Sequence, residues 1–161
     1  MVRQRSPGFY RVIGMIGTSR VITRLHPHVY RLVGGRGFVG RNVGGVRNVI
    51  LLTTGRRTGR VRETPLFGFE SGDRVVVIGS NAGGPREPAW VGNLRADPRA
   101  RLRIGREVRD VRAREADGEE RETLWRLAND GYPGYELYRQ LTDRRIPVVV
   151  LEPDQAPAPG A

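Results

Sequence analysis

The chain has 161 residues, 38% of them hydrophobic and 28% charged, which suits one globular domain with a sizeable core. Its formal net charge is +11, and all 28 residues of the lysine–arginine class are arginine. The missing lysine excludes a Schiff-base or Walker-type phosphate lysine, and the missing cysteine excludes disulfides, thiolate nucleophiles and cysteine-held metal clusters.

Residues 1–6 read as untethered. From Gly8 to Leu32 the pattern is broadly helical, with Ile22, Leu25, Val29 and Leu32 at spacings of three and four, and Pro27 bending the segment. A basic amphipathic helix can lie on anionic lipid or pack across its own domain, and the sequence leaves both open. Its uncharged runs are far short of the roughly 20 residues that span a bilayer, and no secretory signal is visible. A cytoplasmic chain is expected, with peripheral contact at the inner face of the plasma membrane as one use of this segment. The two histidines, His26 and His28, flank Pro27 without nearby carboxylates, so no metal site is expected. The glycine-rich stretch 34–45 reads as a connector. It lacks the strand–turn–helix context of a dinucleotide fingerprint.

Strands follow at 46–54, 60–70 and 74–80, joined by Gly55-Arg56-Arg57-Thr58-Gly59 and by Ser71-Gly72-Asp73, and they predict an antiparallel meander. After the loop "NAGGPREP", Glu87 is expected to cap a short helix with Pro88 in its first turn, carrying Trp90 and Leu94. A hairpin centred on Gly105-Arg106 comes next, and Val108 and Val111 do not alternate cleanly in its second strand. Asp117 and Glu120 have the D-x-x-E spacing of a capped helix start. "GYPGYELYRQLTDRR" predicts a second helical piece, 146–153 a final buried strand, and 154–161 a disordered tail. The domain reading is a helical segment and connector over 1–45, then a ligand-binding domain over 46–153. The fold class is α+β with a mainly antiparallel sheet of about six strands, which tends to close into a barrel.

The residue inventory offers no Ser–His–Asp set, so any enzymatic chemistry must come from a bound cofactor. The feature that stands out is the turn "TTGRRTGRVR". It gathers Arg56, Arg57, Arg60 and Arg62 around Thr58, with Arg60 and Arg62 two apart and expected on one face of the returning strand. Arginine forks bind phosphate and carboxylate bidentately. A solvated charged edge and an anion cradle both fit this pattern. Tyr132, Tyr135 and Tyr138 recur every third residue, which on one helix makes a half-buried aromatic stripe or a ligand-facing row.

The blocks "LLTTGRRTGRVRETPL", "DRVVVIGSNAGGPREPAWVGNL" and "EERETLWRLANDGYPGYELYRQLTDRRIPVVVLEP" closely resemble the deazaflavin-dependent nitroreductase family, from Val46 to Pro153. The resemblance implies a split β-barrel of the FMN-binding type. It also implies coenzyme F420, an 8-hydroxy-5-deazaflavin with a phospholactyl–oligoglutamate tail, and hydride transfer to a quinone, a nitroaromatic or another activated acceptor. By the same resemblance, Arg56, Arg57, Thr58 and Arg62 hold the phosphate and acidic tail, with Arg57 in place of the family's usual lysine. Ser80, Asn81, Ala82 and Gly83 form the loop beside the ring, with Asn81 where lysine is common. Trp90 walls the pocket, and Tyr132, Tyr135 and Tyr138 line the acceptor site, where a phenol can hydrogen-bond an acceptor oxygen or donate a proton. A monomer or weak oligomer with no nucleic-acid partner is expected. A basic nucleic-acid module would use the +11 charge but leaves the glycine loop and tyrosines unexplained. An FMN enzyme of the same barrel would need less positive charge for its single phosphate. A deazaflavin carrier without catalysis is the third rival.

Overall fold

A computed structural model describes residues 46–154. The expected N-terminal helical segment and glycine-rich connector, and residues 155–161 of the expected tail, lie outside these residues. Six strands, β1 (Arg47–Thr54), β2 (Val61–Ser71), β3 (Arg74–Ile78), β4 (Arg99–Ile104), β5 (Glu107–Glu115) and β6 (Val148–Pro153), alternate with three helices, α1 (Ala89–Ala96), α2 (Gly118–Gly131) and α3 (Gly134–Gln140). The strands close into an antiparallel barrel in the order β1-β2-β3-β6-β5-β4. The closure runs between β1 and β4, where Ile50 faces Arg103 and Leu52 faces Arg101. Full closure removes the strand edges that an open sheet would leave unpaired.

Two apolar layers explain which strands carry continuous hydrophobic runs. Inside the barrel, Val49, Leu51, Val75, Val77, Leu102, Val111, Val149 and Leu151 pack with Trp90, Val91 and Leu94 of α1. Outside it, Val76, Ile78, Val148 and Val150 pack under Leu124, Trp125 and Ala128 of α2 and the tyrosines of α3. Strands β3 and β6 are therefore buried on both faces, which is why they read as "VVVI" and "VVVL" rather than as alternating patterns. Each such aliphatic side chain contributes roughly 1.5–3 kcal/mol of burial. In β5 the register puts Val111 and Ala113 inside and leaves Val108 opposite Arg103 and 44% exposed, which resolves the broken alternation.

Three local expectations are corrected. The helix near Trp90 begins at Ala89, with Pro88 at the N-cap in extended conformation. Glu87 does not cap it: its carboxylate accepts two bonds from the Arg95 guanidinium, at 2.8 and 3.0 Å. At α2, Asp117 occupies the N-cap, but its carboxylate goes to Arg145, and Glu120 goes to Arg114 at 2.7 and 2.8 Å. Charge-assisted arginine forks outcompete backbone amides as partners for Glu87 and Glu120. The tyrosines do not share one helix. Tyr132 is the C-cap of α2 and Pro133 the N-cap of α3, because proline holds the residue before it out of the helical region.

Candidate active site

The arginine turn is closed by its own backbone: Gly55 N donates to Arg60 O at 2.8 Å, and Thr58 N and Gly59 N donate to Gly55 O at 3.0 and 2.8 Å. Arg60 lies just before β2, which begins at Val61, so only Arg62 of the two is on the strand. The four arginines divide into two kinds. Arg62 Nη2 donates to Thr58 Oγ1 at 3.3 Å. Arg56 binds α1: its Nη1 donates to Ala89 O at 3.1 Å, and its backbone N donates to Asn93 Oδ1 at 3.1 Å. Its guanidinium covers Gly92, where a Cβ would lie 2.8 Å from Nη1. Arg57 and Arg60 are exposed, and their guanidiniums take no acceptor among the described residues; the Arg60 backbone N donates to Thr58 Oγ1 at 3.4 Å.

Elsewhere several arginines are already matched to acids. Arg95 bridges Glu87 and Glu115, Arg114 bridges Glu120 and Glu152, and Arg99, Arg139 and Arg145 pair with Asp97, Glu136 and Asp117. Hydrogen bonds from their arginine partners hold the Asp97, Asp117 and Glu120 carboxyls below the usual carboxylate range. The positive charge of the turn has no such compensation. Two uncommitted guanidinium forks beside a hydroxyl suit a phosphate followed by carboxylates, so the residues present fit the tail of coenzyme F420.

The loop after β3 has an unusual backbone. Asn81, Ala82 and Gly83 have φ of 46°, 51° and 75°, three consecutive residues in the left-handed region. Gly83 N donates to Ser80 O and Gly84 N to Asn81 O, and Asn81 Nδ2 donates to Arg86 O at 2.9 Å. Gly83 sits tightly on α3: a Cβ there would lie 2.9 Å from Leu141 Cβ and 3.0 Å from Tyr138 O. Ser80 is buried at the loop's start. Trp90 packs into the cluster inside the barrel.

Tyr132, Tyr135 and Tyr138 come together despite the helix break, with ring centroids 5.1–6.2 Å apart. The Tyr132 and Tyr138 hydroxyls share a hydrogen bond of 3.0 Å. Tyr135 packs against Phe69 and Trp125, and burial pushes its phenol far above the ordinary value. Thus the loop touches the tyrosine helix, and the arginine turn touches α1, which the same loop feeds. A cavity of about 180 Å³ lined by Val91, Leu94, Ala113 and Val149, with Arg95 and Glu115 among its walls, contains none of these candidates; its volume is below the usual range for cofactor pockets. No cluster of potential metal ligands occurs among the described residues.

Two residues of this site have no motif to announce them. Asn93 is buried and joins the turn to β1, accepting from Arg56 and donating to Thr53 Oγ1 at 3.1 Å. The one available signal was a polar residue three positions after Trp90 on an apolar helix face. Arg144 donates to the carbonyls of Gly79, Ser80 and Gly84. Nothing local distinguishes it from its neighbour Arg145.

A family model described as F420H(2)-dependent quinone reductase matches residues 22–153. A protein of Mycobacterium tuberculosis named an F420H(2)-dependent quinone reductase is 34% identical over 134 residues, covering 81% of this chain and 89% of that protein. Among solved structures, one described as an F420-H2 dependent reductase is 40% identical with a TM-score of 0.61, covering 65% of this chain and 93% of its own. Another, described as a domain-swapped dimer, is 35% identical with a TM-score of 0.64, covering 80% of this chain and 97% of its own. With the barrel, the unpaired arginines and the clustered tyrosines in place, these matches show that the chain belongs to the F420H(2)-dependent quinone reductase family.

Proposed function

We propose that the chain is an oxidoreductase that passes a hydride from reduced coenzyme F420 to a quinone, with the acidic tail held at the arginine turn. The observation that carries the placement of the tail is the pair of exposed guanidiniums, Arg57 and Arg60, which have no acceptor among the described residues. Arg57, Arg60 and Thr58 make the direct contacts, Arg62 keeps Thr58 in place, and Arg56 fixes the turn to α1 while its charge adds to the local field.

When bound, the deazaflavin supplies the hydride from its C5. The protein's contribution is orientation and electrostatics rather than a nucleophile. With the coenzyme bound, Ser80, Asn81, Ala82 and Gly83 would border the ring, and Trp90 would help to wall the pocket. Tyr132 and Tyr138 act as a pair, their hydroxyls joined at 3.0 Å, and a phenol of the pair hydrogen-bonds an acceptor oxygen when the acceptor binds. Tyr135 stays neutral and holds the two in position by packing. Nitroaromatics and other activated alkenes are alternative acceptors.

Quinones are lipid-soluble, so a cytoplasmic enzyme gains from touching a membrane surface. No helix among the described residues is long and apolar enough to cross one. The basic segment 8–32, which lies outside the described residues, is the proposed contact. Flotation with anionic liposomes should separate the full chain from one lacking residues 1–33, and equal binding rejects the contact. A monomer or weak oligomer is the proposed state, which light scattering checks against the domain-swapped arrangement of the structural neighbour.

The central test is a fluorescence titration with oxidised coenzyme F420 beside FMN, followed by reduced-coenzyme oxidation with a quinone series. Tight deazaflavin binding with quinone turnover supports the reading. Preference for FMN, or binding without turnover, sinks it.

A further inference from the structure

We propose that Arg144 is a positioning residue for the coenzyme, whose guanidinium sets the peptide planes of the loop 79–84 and so fixes the face that this loop turns to the deazaflavin ring. The inference rests on the reading above that the loop borders the ring.

Four hydrogen bonds carry it. Arg144 Nε donates to Gly84 O at 3.0 Å, Nη1 and Nη2 both donate to Gly79 O at 3.1 Å, and Nη2 donates to Ser80 O at 2.6 Å. The three carbonyls come from both ends of the loop, and the left-handed residues Asn81, Ala82 and Gly83 lie between them. Such a backbone is unfavourable for L-residues and persists only where its surroundings over-determine it. The loop's own bonds, Gly83 N to Ser80 O and Gly84 N to Asn81 O, span only the turn itself. Gly79 N is tied to Pro147 O at 2.9 Å and Asn81 Nδ2 to Arg86 O at 2.9 Å, and the guanidinium is the one group bonded to the carbonyls at both ends of the loop among the described residues.

The clamp also decides direction. In a trans peptide the N–H points opposite to the C=O. With the carbonyls of Gly79 and Ser80 turned toward Arg144, the amides of Ser80 and Asn81 face away from it. That arrangement presents these two donors on the loop's other surface. A lysine could not do the same, because one ammonium lacks the planar fork that reaches three carbonyls at once. Arg144 is half-buried, and desolvation pulls its pKa below the ordinary arginine value. An arginine so shifted is still cationic at neutral pH. Its position between α3 and β6 links the loop to the helix bearing Tyr135 and Tyr138, where Gly83 already rests on Tyr138 O.

The test compares the full chain with R144K, R144Q and R144A. The readouts are the coenzyme Kd by fluorescence, the absorbance of the bound deazaflavin, kcat and KM for a quinone, and near-ultraviolet circular dichroism as a check on folding. R144K and R144Q should bind the coenzyme about tenfold or more weakly, the loss expected for charge-assisted bonds. The bound ring spectrum should move toward that of free coenzyme, and the quinone KM should change much less than the coenzyme Kd. Methylguanidinium added to R144A should restore part of the affinity and of the ring spectrum, which a merely structural defect elsewhere would not show. If R144K is folded and binds the coenzyme with the parent's affinity and spectrum, the role of Arg144 is overturned, even where R144Q has unfolded. A parent chain that binds no coenzyme brings down the underlying reading and this proposal with it, whereas a parent that binds while its variants match it removes only the part given to Arg144.

Discussion

Asn93 Nδ2 donates to Thr53 Oγ1 across 3.1 Å with both residues buried, and the same amide's oxygen accepts from the backbone of Arg56. One side chain thus ties β1, the arginine turn and α1 together. Removing it leaves a buried hydroxyl and a partly buried amide without a partner, which costs about 1–3 kcal/mol for each group. Asn93→Ala should lower the urea midpoint accordingly and also weaken coenzyme binding, because the turn loses its anchor. Asn93→Leu should do no better, since the loss is of partners rather than volume. A midpoint within error of the parent's for both variants would refute the anchoring role.

The division among the arginines predicts different phenotypes. Arg57→Ala with Arg60→Ala should leave thermal stability unchanged or slightly higher, as two unpaired like charges are removed. Coenzyme affinity should fall, by about 1.5–3 kcal/mol for each charged bond lost. Arg56→Ala should lower both quantities, because it also gives up its bond to Ala89 O. Titrations at two ionic strengths check the mechanism: the parent's affinity should drop with added salt, and the double variant's much less.

The loop can be probed at its most constrained point. At Gly83, a methyl group meets the Tyr138 carbonyl at 3.0 Å and must adopt φ near 75°. Gly83→Ala should therefore destabilise the fold by about 1–2 kcal/mol for the left-handed conformation alone, and further for the contact. Ala82→Gly should be neutral or mildly stabilising, because φ of 51° is already costly for alanine. Chemical denaturation of the two variants decides this, and a stabilised Gly83→Ala would contradict the described loop.

Tyr135 makes an alkaline prediction. Its folded-state pKa is raised by burial, so the folded chain keeps the phenol proton where the unfolded chain releases it. The unfolded state then binds fewer protons, and stability falls as pH rises through the ordinary phenol value of about 10. Below that value the contribution is fully present. Urea midpoints at a pH of about 8 and about 11 should show a smaller alkaline loss for Tyr135→Phe than for the parent. Equal losses would place the titrating group elsewhere.

The architecture was legible where periodicity and turn chemistry agree. The runs of β3 and β6, the glycine turns and the hairpin at Gly105 all stand where pattern places them, because local preference and burial point the same way. The caps were not legible, because arginines from distant strands claim Glu87, Asp117 and Glu120, and spacing along the chain says nothing of them. The tyrosines were grouped correctly but for the wrong geometric reason: Tyr132 reaches Tyr138 across a helix break at Pro133. Asn93 and Arg144 were missed because each acts on backbone groups dozens of residues away. Only the closed barrel brings those partners within reach.

The contact between Arg56 and Gly92 has a consequence for mutagenesis and for divergence within such proteins. A side chain at position 92 would occupy the space of the guanidinium, so the two positions form one unit of variation. A library that randomises residue 92 alone makes the flexible arginine swing aside and give up its bond to Ala89 O. Randomising both positions together lets a new pair replace that bond, and relatives with a bulkier residue at 92 should carry a shorter or redirected one at 56.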